Sequence, residues 1–299
     1  MNSVKLSIGG VPEHVNLPWK QAIAEGAFSA AGIDVEFIDY PGGTGAMNAA
    51  LRDKELDAAL LLTEGAVHDI LTGGRNKLVS VYVESPLVWG IHVSASSKIS
   101  SIEGIEGMRY AISRFGSGSH LIAAVDAAER GFNVDDMQFV VVDNIEGARS
   151  ALANGEADVF LWEKHMTQPL VDSGEFRRIG ERTVPWPAFA VSVRLDYLDT
   201  HGDTVHEALN IVADFARQLK YDRDAAQRIS AAYGIGEENA QVWLDSVQWS
   251  HDRRRPDAAI DRIVTALLSQ DLVQSAESIP SGAYRLDRIW TDIGSRSVP

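Results

Sequence analysis

Residues 4–71 open with VKLSIGG (4–10) and continue through LPWKQAIAEGAFSAAG (17–32), IDVEFIDY (33–40) and MNAALRDKELDAALLL (47–62). Residues 108–170 repeat that layout with MRYAIS (108–113), SHLIAAVDAAERG (119–131), MQFVVVD (137–143) and ARSALANGEADVFLW (148–162). Each run is a short apolar strand, a loop, an Ala-rich helix, a second strand, then a second helix that turns directly into a third strand. The strands are β-branched and mostly apolar and alternate with helices, the pattern of parallel strands with helical crossovers. Gly32 and Gly131 follow the first helix of each unit, where a left-handed C-cap is needed. Asp57 and Asp158 precede the third strand of each. Two such α/β units predict two lobes with a cleft between them, a natural place to hold a small molecule.

Outside the repeat, SVYVESPLVWGIHVSAS (80–96) and TVPWPAFAVSVRLDY (183–197) also echo each other: a Pro, a Trp, then an apolar strand. They read as two crossings between the lobes, with Trp89 and Trp186 near the hinge. Two crossings make the second unit an insertion. Lobe 1 is then residues 1–91 and 189–299, and lobe 2 is residues 92–188. From Thr204 onward HEALNIVADFARQLK, RDAAQRISAAYG, EENAQVWLDSVQW and PDAAIDRIVTALLSQ carry apolar residues at helical spacing. Asp203-Thr204 and Pro256-Asp257 have the residue types of helix starts.

The 299 residues suffice for a sizeable core or two modest ones. A net charge of −15 argues against nucleic acid, whose phosphates call for clustered Lys and Arg. The one dense basic run, Arg253-Arg254-Arg255 before Pro256, reads as a solvated turn. With no cysteine, disulfides and thiolate metal sites are excluded. No stretch approaches the roughly 20 apolar residues of a membrane span, so no membrane insertion is expected. Met1 leads almost at once into the first strand, without a signal-peptide pattern. The expected compartment is cytoplasmic if Met1 is native and periplasmic if a signal was removed.

The chain resembles the type 2 periplasmic-binding-protein family, nearest its sulfonate-, nitrate- and taurine-binding branch and the yeast-type thiamine-pyrimidine synthases. The stretch GAFSAAGIDVEFIDYPGGTGAMNAALRDKELDAALLLTEGAV (26–67) is similar to the family's run of helix, Gly, strand, Gly loop, helix and strand. SSIEGIEGMRYAI (100–112) is similar to the phrase that opens its second lobe. The resemblance implies an α/β fold of two lobes, each a mixed, mainly parallel sheet flanked by helices, with a ligand cleft between them. It implies a non-enzymatic solute-binding protein that closes around a small anionic or zwitterionic molecule, in the usual setting with an ABC permease as partner, and monomeric. A cytoplasmic biosynthetic enzyme on the same fold is the alternative. The enzyme branch uses a Cys-rich motif, which a chain without cysteine cannot carry.

Several loops carry candidate ligand groups. Gly43, Thr44 and Gly45 sit in a small-residue turn entering a helix near Ala46. Such a turn either seats an anion on backbone N–H groups or serves geometry alone. The run 113–120, SRFGSGSH, places Arg114, Ser117, Gly118, Ser119 and His120 at a helix start, where hydroxyls and a bidentate cation can hold a carboxylate or sulfonate. Ser119 is alternatively a plain N-cap. In the matching first-unit loop, His14 and Asn16 precede a helix begun by Pro18. The third strands end at Thr63 and Glu64 and at Glu163, and an acid following an apolar run needs a partner. Trp89 and Trp186 either stack a planar ring or pack the hinge. A metal reading of His14, Glu163 and His165 has no close-spaced ligand motif behind it. No metal, other cofactor or catalytic nucleophile is called for.

Overall fold

The computed structural model describes residues 3–269, 272–273 and 283–293. In chain order the strands are β1 (Val4–Gly10), β2 (Ile33–Asp39), β3 (Ala58–Leu62), β4 (Asn76–Val83), β5 (Val88–Ser94), β6 (Arg109–Ile112), β7 (Gln138–Val141), β8 (Val159–Glu163), β9 (Phe176–Thr183) and β10 (Phe189–Arg194). The helices are α1 (Leu17–Ala24), α2 (Ala27–Ala30), α3 (Gly43–Arg52), α4 (Thr63–Leu71), α5 (Gly118–Glu129), α6 (Ile145–Ala153), α7 (Gln168–Asp172), α8 (Leu195–Tyr221), α9 (Ala225–Tyr233), α10 (Glu237–Ser246), α11 (Asp257–Ser269) and α12 (Ala283–Ile289).

Two five-stranded sheets form, with strand orders β2-β1-β3-β10-β4 and β7-β6-β8-β5-β9. They are built alike. In the first, β1 pairs parallel to β2 and β3, while β10 runs antiparallel to β3 and β4. In the second, β6 pairs parallel to β7 and β8, while β5 runs antiparallel to β8 and β9. Each sheet's antiparallel strand is thus reached along the chain from the other sheet's last strand. Residues 84–87 link β4 to β5, and residues 184–188 link β9 to β10. The expected boundary at 91/92 falls inside β5, whose pairing with β9 already begins at Val88.

The repeat extends to single hydrogen bonds. Asp57 accepts from the Ser7 backbone N–H at 2.9 Å, and Asp158 accepts from the Arg109 backbone N–H at 3.1 Å. In return the Asp57 N–H donates to Ser7 O, and the Asp158 N–H donates to Arg109 O. Each aspartate locks the entry of a third strand to its neighbouring first strand. Gly32 and Gly131 take positive φ at the helix ends, as their positions predict. α8 is two helical segments joined at a kink at His201, where φ is −130°, and the second segment begins just after it, beside the expected Asp203-Thr204 start. Gln270, the last residue of the expected PDAAIDRIVTALLSQ helix, lies outside the described residues. One apolar core runs beneath α3, α4, α11 and the inner strands of both sheets, and a second packs the first sheet against α1 and α8–α10.

Candidate functional site

Loops after β1, β6 and β8, the end of β3 and the first turns of α3 and α5 converge between the sheets. They enclose a cavity lined from the first unit by Glu13, Gly43, Thr44 and Leu62, and from the second by Trp89, Ser113, Ser117, Gly118, Ser119, Trp162 and Glu163. Free space there is only about 50 Å³, room for a handful of water-sized groups. The two units already touch: a Cβ on Gly118 would stand 2.2 Å from Leu62 Cδ1 and 3.0 Å from the Trp89 ring.

Local chemistry explains how each wall is held. Ser117 is the N-cap of α5, accepting from the His120 N–H. Ser119 Oγ accepts from the Ser113 N–H at 3.0 Å and lies 3.3 Å from Ser113 Oγ and 3.1 Å from Ser117 Oγ. The serines thus form a self-bonded cluster at a helix N-terminus, where N–H groups and the helix dipole favour negative charge. Across from it α3 begins at Gly43, earlier than Ala46. Thr44 Oγ1 accepts from the Leu62 N–H at 3.0 Å and fixes the end of β3. Trp89 and Trp162 line this space, and their indole Nε1 atoms are buried without a hydrogen-bond partner.

Two acids from opposite units enter the same space. Glu13 and Glu163 are buried, 9% and 7% exposed. Burial pushes the Glu13 carboxyl up to about 8, and the charge of Glu163 adds to it. Trp162 draws it down slightly without closing a hydrogen bond. Burial also raises Glu163, to about 7, against the N–H groups of Met166 and His165 and the charges of Arg178 and Lys164. Glu163 Oε2 accepts from the Met166 N–H at 2.7 Å. Two like charges in one desolvated site favour sharing a proton over double ionisation.

Of the sequence candidates, Gly43, Thr44, Trp89, Ser117, Gly118, Ser119 and Glu163 line this cavity together. The others are placed elsewhere. His14 lines an adjoining chamber of about 250 Å³ that shares Glu13, Leu87, Glu163 and Phe189 with the cleft. Asn16 Nδ2 donates to Val11 O and braces its own loop. Thr63 Oγ1 donates to Pro187 O and ties α4 to a crossing segment. Glu64 is not among the residues lining the cleft: its Oε2 accepts from Trp186 Nε1 at 2.9 Å inside the core, while its Oε1 is buried without a partner. Burial pushes Glu64 up to about 7. His120 Nδ1 accepts from the Gly116 N–H, and its ring packs on Phe139, away from the cavity.

Arg114 and Gly45 form a contact beside the cavity. The guanidinium lies over the turn before α3: a Cβ on Gly42 would be 2.6 Å from Nη2, and one on Gly45 would be 2.8 Å from Cδ. Its Nη1 is buried without a partner, and desolvation lowers the Arg114 pKa. A cation of one unit thus rests on the positive end of the other unit's helix. Glu13 was missed in the sequence because a lone acid beside Pro12 reads as surface loop. The signal available was its place in the loop that matches 113–117. Among the described residues no group of three or more His, Asp or Glu side chains is placed to hold a metal ion. No described helix is long and apolar enough to cross a membrane.

Two similar sheets with exchanged antiparallel strands and a cavity between them define the type 2 periplasmic-binding-protein fold. Residues 89–182 match the family model described as Ca3427-like PBP. The chain is similar in structure to the Candida albicans CA3427 gene product, described as having the generic periplasmic binding protein fold, at 24% identity and TM-score 0.88, covering 97% of this chain and 96% of that one. It is similar to the alkanesulfonate-binding protein SsuA of Xanthomonas axonopodis pv. citri bound to MOPS, at 17% identity and TM-score 0.78, covering 92% and 96%. It is also similar to the nitrate-binding protein NrtA of Synechocystis PCC 6803, at 13% identity and TM-score 0.73, covering 96% and 86%. No curated protein matches the chain in sequence.

Proposed function

We propose that this chain is a solute-binding protein whose lobes close around one small anionic or zwitterionic molecule. The lobes are those expected from the sequence, residues 1–91 with 189–299 and residues 92–188, with the first boundary moved back to the 84–87 link. The observation that carries this reading is the polarity of the cleft. The α3 and α5 N-termini, with Thr44 and the serines, line the cleft alone, whereas Glu13 and Glu163 line both cleft and chamber. One end suits a negative group and the other a hydrogen-bond donor or cation. MOPS, held by the xanthomonad neighbour, carries both a sulfonate and a protonatable ring nitrogen. On this reading the protein is a monomer outside the cytoplasm that hands its solute to an ABC permease. Trp89 and Trp162 line the cleft, so the test is an intrinsic-fluorescence and thermal-unfolding screen of sulfonates, carboxylates, amino acids and pyrimidines. A true ligand at 100 times its Kd stabilises by about 2.7 kcal/mol. Failure of all four classes would sink the reading.

The Glu13–Glu163 pair supports a second reading, a small-molecule enzyme on this fold, because carboxyls raised toward neutral pH suit proton transfer. Mass spectrometry separates the two. A ligand recovered unchanged after long incubation favours binding, and a converted one favours catalysis.

A further inference from the structure

The pair Glu13 and Glu163 stands at the threshold between the cleft and the adjoining chamber, since both residues line both spaces. Among the described residues neither makes an ion pair. Lys164 and Arg178 act on Glu163 only from a distance and pair instead with Glu181, at 3.3 Å and 3.6 Å. Buried acids without a cation partner are costly unless a ligand or a proton supplies the charge. Behind them the chamber is walled largely by apolar side chains, among them Val15, Val83, Phe189, Trp243 and Val247. One polar group there has no partner. His14 is 1% exposed, its ring stands edge-on to Trp243 at 4.0 Å, and both ring nitrogens are buried and unbonded. A satisfied core histidine would not leave both nitrogens free. With about 50 Å³ in the cleft and about 250 Å³ in the chamber, a ligand larger than a few atoms has its room behind the acids.

We propose that the solute is a zwitterion whose ammonium or amidinium nitrogen sits between Glu13 and Glu163, whose apolar body fills the chamber against His14 and whose anionic group meets the helix ends of the cleft. This rests on the solute-binding reading and names the substrate class of that site. An acid from each lobe on one cation would also draw the lobes together, and so couple occupancy to closure.

Titration calorimetry with benzylamine, benzyl alcohol and methylamine tests this, with taurine and methanesulfonate as cleft-only probes. Benzylamine is expected to bind at least tenfold more tightly than benzyl alcohol and than methylamine. Glu13→Gln and Glu163→Gln should each weaken benzylamine tenfold or more and leave benzyl alcohol within twofold. Ser246→Trp, at the exposed rim of the chamber, should remove the advantage of benzylamine over methylamine. Benzylamine binding no better than benzyl alcohol, or binding untouched by either Glu→Gln change, overturns the proposal. Should a Glu→Gln variant fail to fold by circular dichroism, the probe comparison on the unchanged protein still decides. If taurine or methanesulfonate binds and benzylamine does not, this inference falls while the solute-binding reading stands. If no probe or screened solute binds, both fall.

Discussion

At the scale of single residues, the decisive group is one that no motif flags. Glu13 is faced by Trp162 and Glu163 from β8, and by Tyr233 from α9. Behind Glu163 stand His165, Lys164 and Arg178. Burial lifts Glu13 from the usual 4.5 to about 8, so the folded protein holds a proton that the unfolded chain releases. Between those values the native state binds more protons, so stability falls as pH rises, by up to about 1.4 kcal/mol per pH unit for one group. His14, pushed down to about 3 by burial and by His165, works the other way: its contribution is present above the ordinary imidazole range and lost as pH falls toward 3. The two are separated by difference. Glu13→Gln is expected to match the unchanged protein near pH 4.5 and to be more stable by several kcal/mol near pH 8.5, read from urea unfolding at both values. Equal stability at pH 8.5 would show that Glu13 ionises freely. The sequence could not reveal this, because burial of a loop acid depends on what the other half of the chain brings over it.

Among the elements, the α5 N-terminus is held by side chains rather than by packing alone. Ser119 Oγ takes the Ser113 N–H, a buried donor with no other side-chain acceptor among the hydrogen bonds of the described residues. Ser119→Ala is therefore expected to cost about 1–3 kcal/mol of stability, the penalty of leaving a buried donor unpaired. Ser117→Ala should cost about 0.5–2 kcal/mol through the lost cap. Thermal unfolding without ligand reads both. A stable Ser119→Ala protein with weakened ligand binding would make that hydroxyl a pure ligand contact. This element was legible in advance: serines and glycines between a strand and an Ala-rich helix read as a polar helix start. The repeat was legible for the same reason, since Asp57 and Asp158 occupy equivalent turns and make equivalent bonds. The start of α8 was not. Its stretch before the kink at His201 was hidden because Leu195-Asp196-Tyr197 read as the tail of a strand, whereas the Asp203-Thr204 start falls just past that kink. Equally hidden was the Glu64–Trp186 bond, between residues 122 positions apart, each of which alone looked ready for a ligand.

For the whole molecule, the question is what holds the lobes together. Arg114 reaches from the second unit onto the Gly42–Gly45 turn of the first, with Nη1 buried and unpaired at the N-terminal end of α3. A guanidinium against a helix N-terminus is two positive ends in contact, which favours an anionic group between them, and the Asp143 carboxylate offsets this in part. On the solute-binding reading, a ligand's negative charge would join the two units here. Arg114→Ala should remove that group's counter-cation and weaken a sulfonate or carboxylate ligand by about 1.5–3 kcal/mol. It should leave the ligand-free chain as stable as before or slightly more so, since it removes a half-buried cation whose Nη1 is buried without a partner. Small-angle scattering with and without the best anionic or zwitterionic ligand gives the second readout. The unchanged protein should contract on binding, and Arg114→Ala should contract less at equal occupancy. Raising salt should weaken binding to the unchanged protein more than to the variant, with the effect muted by the closed cleft. If the variant binds and contracts like the unchanged protein, the clasp is only packing. Closure would then belong to the acids and helix ends that line the cavity.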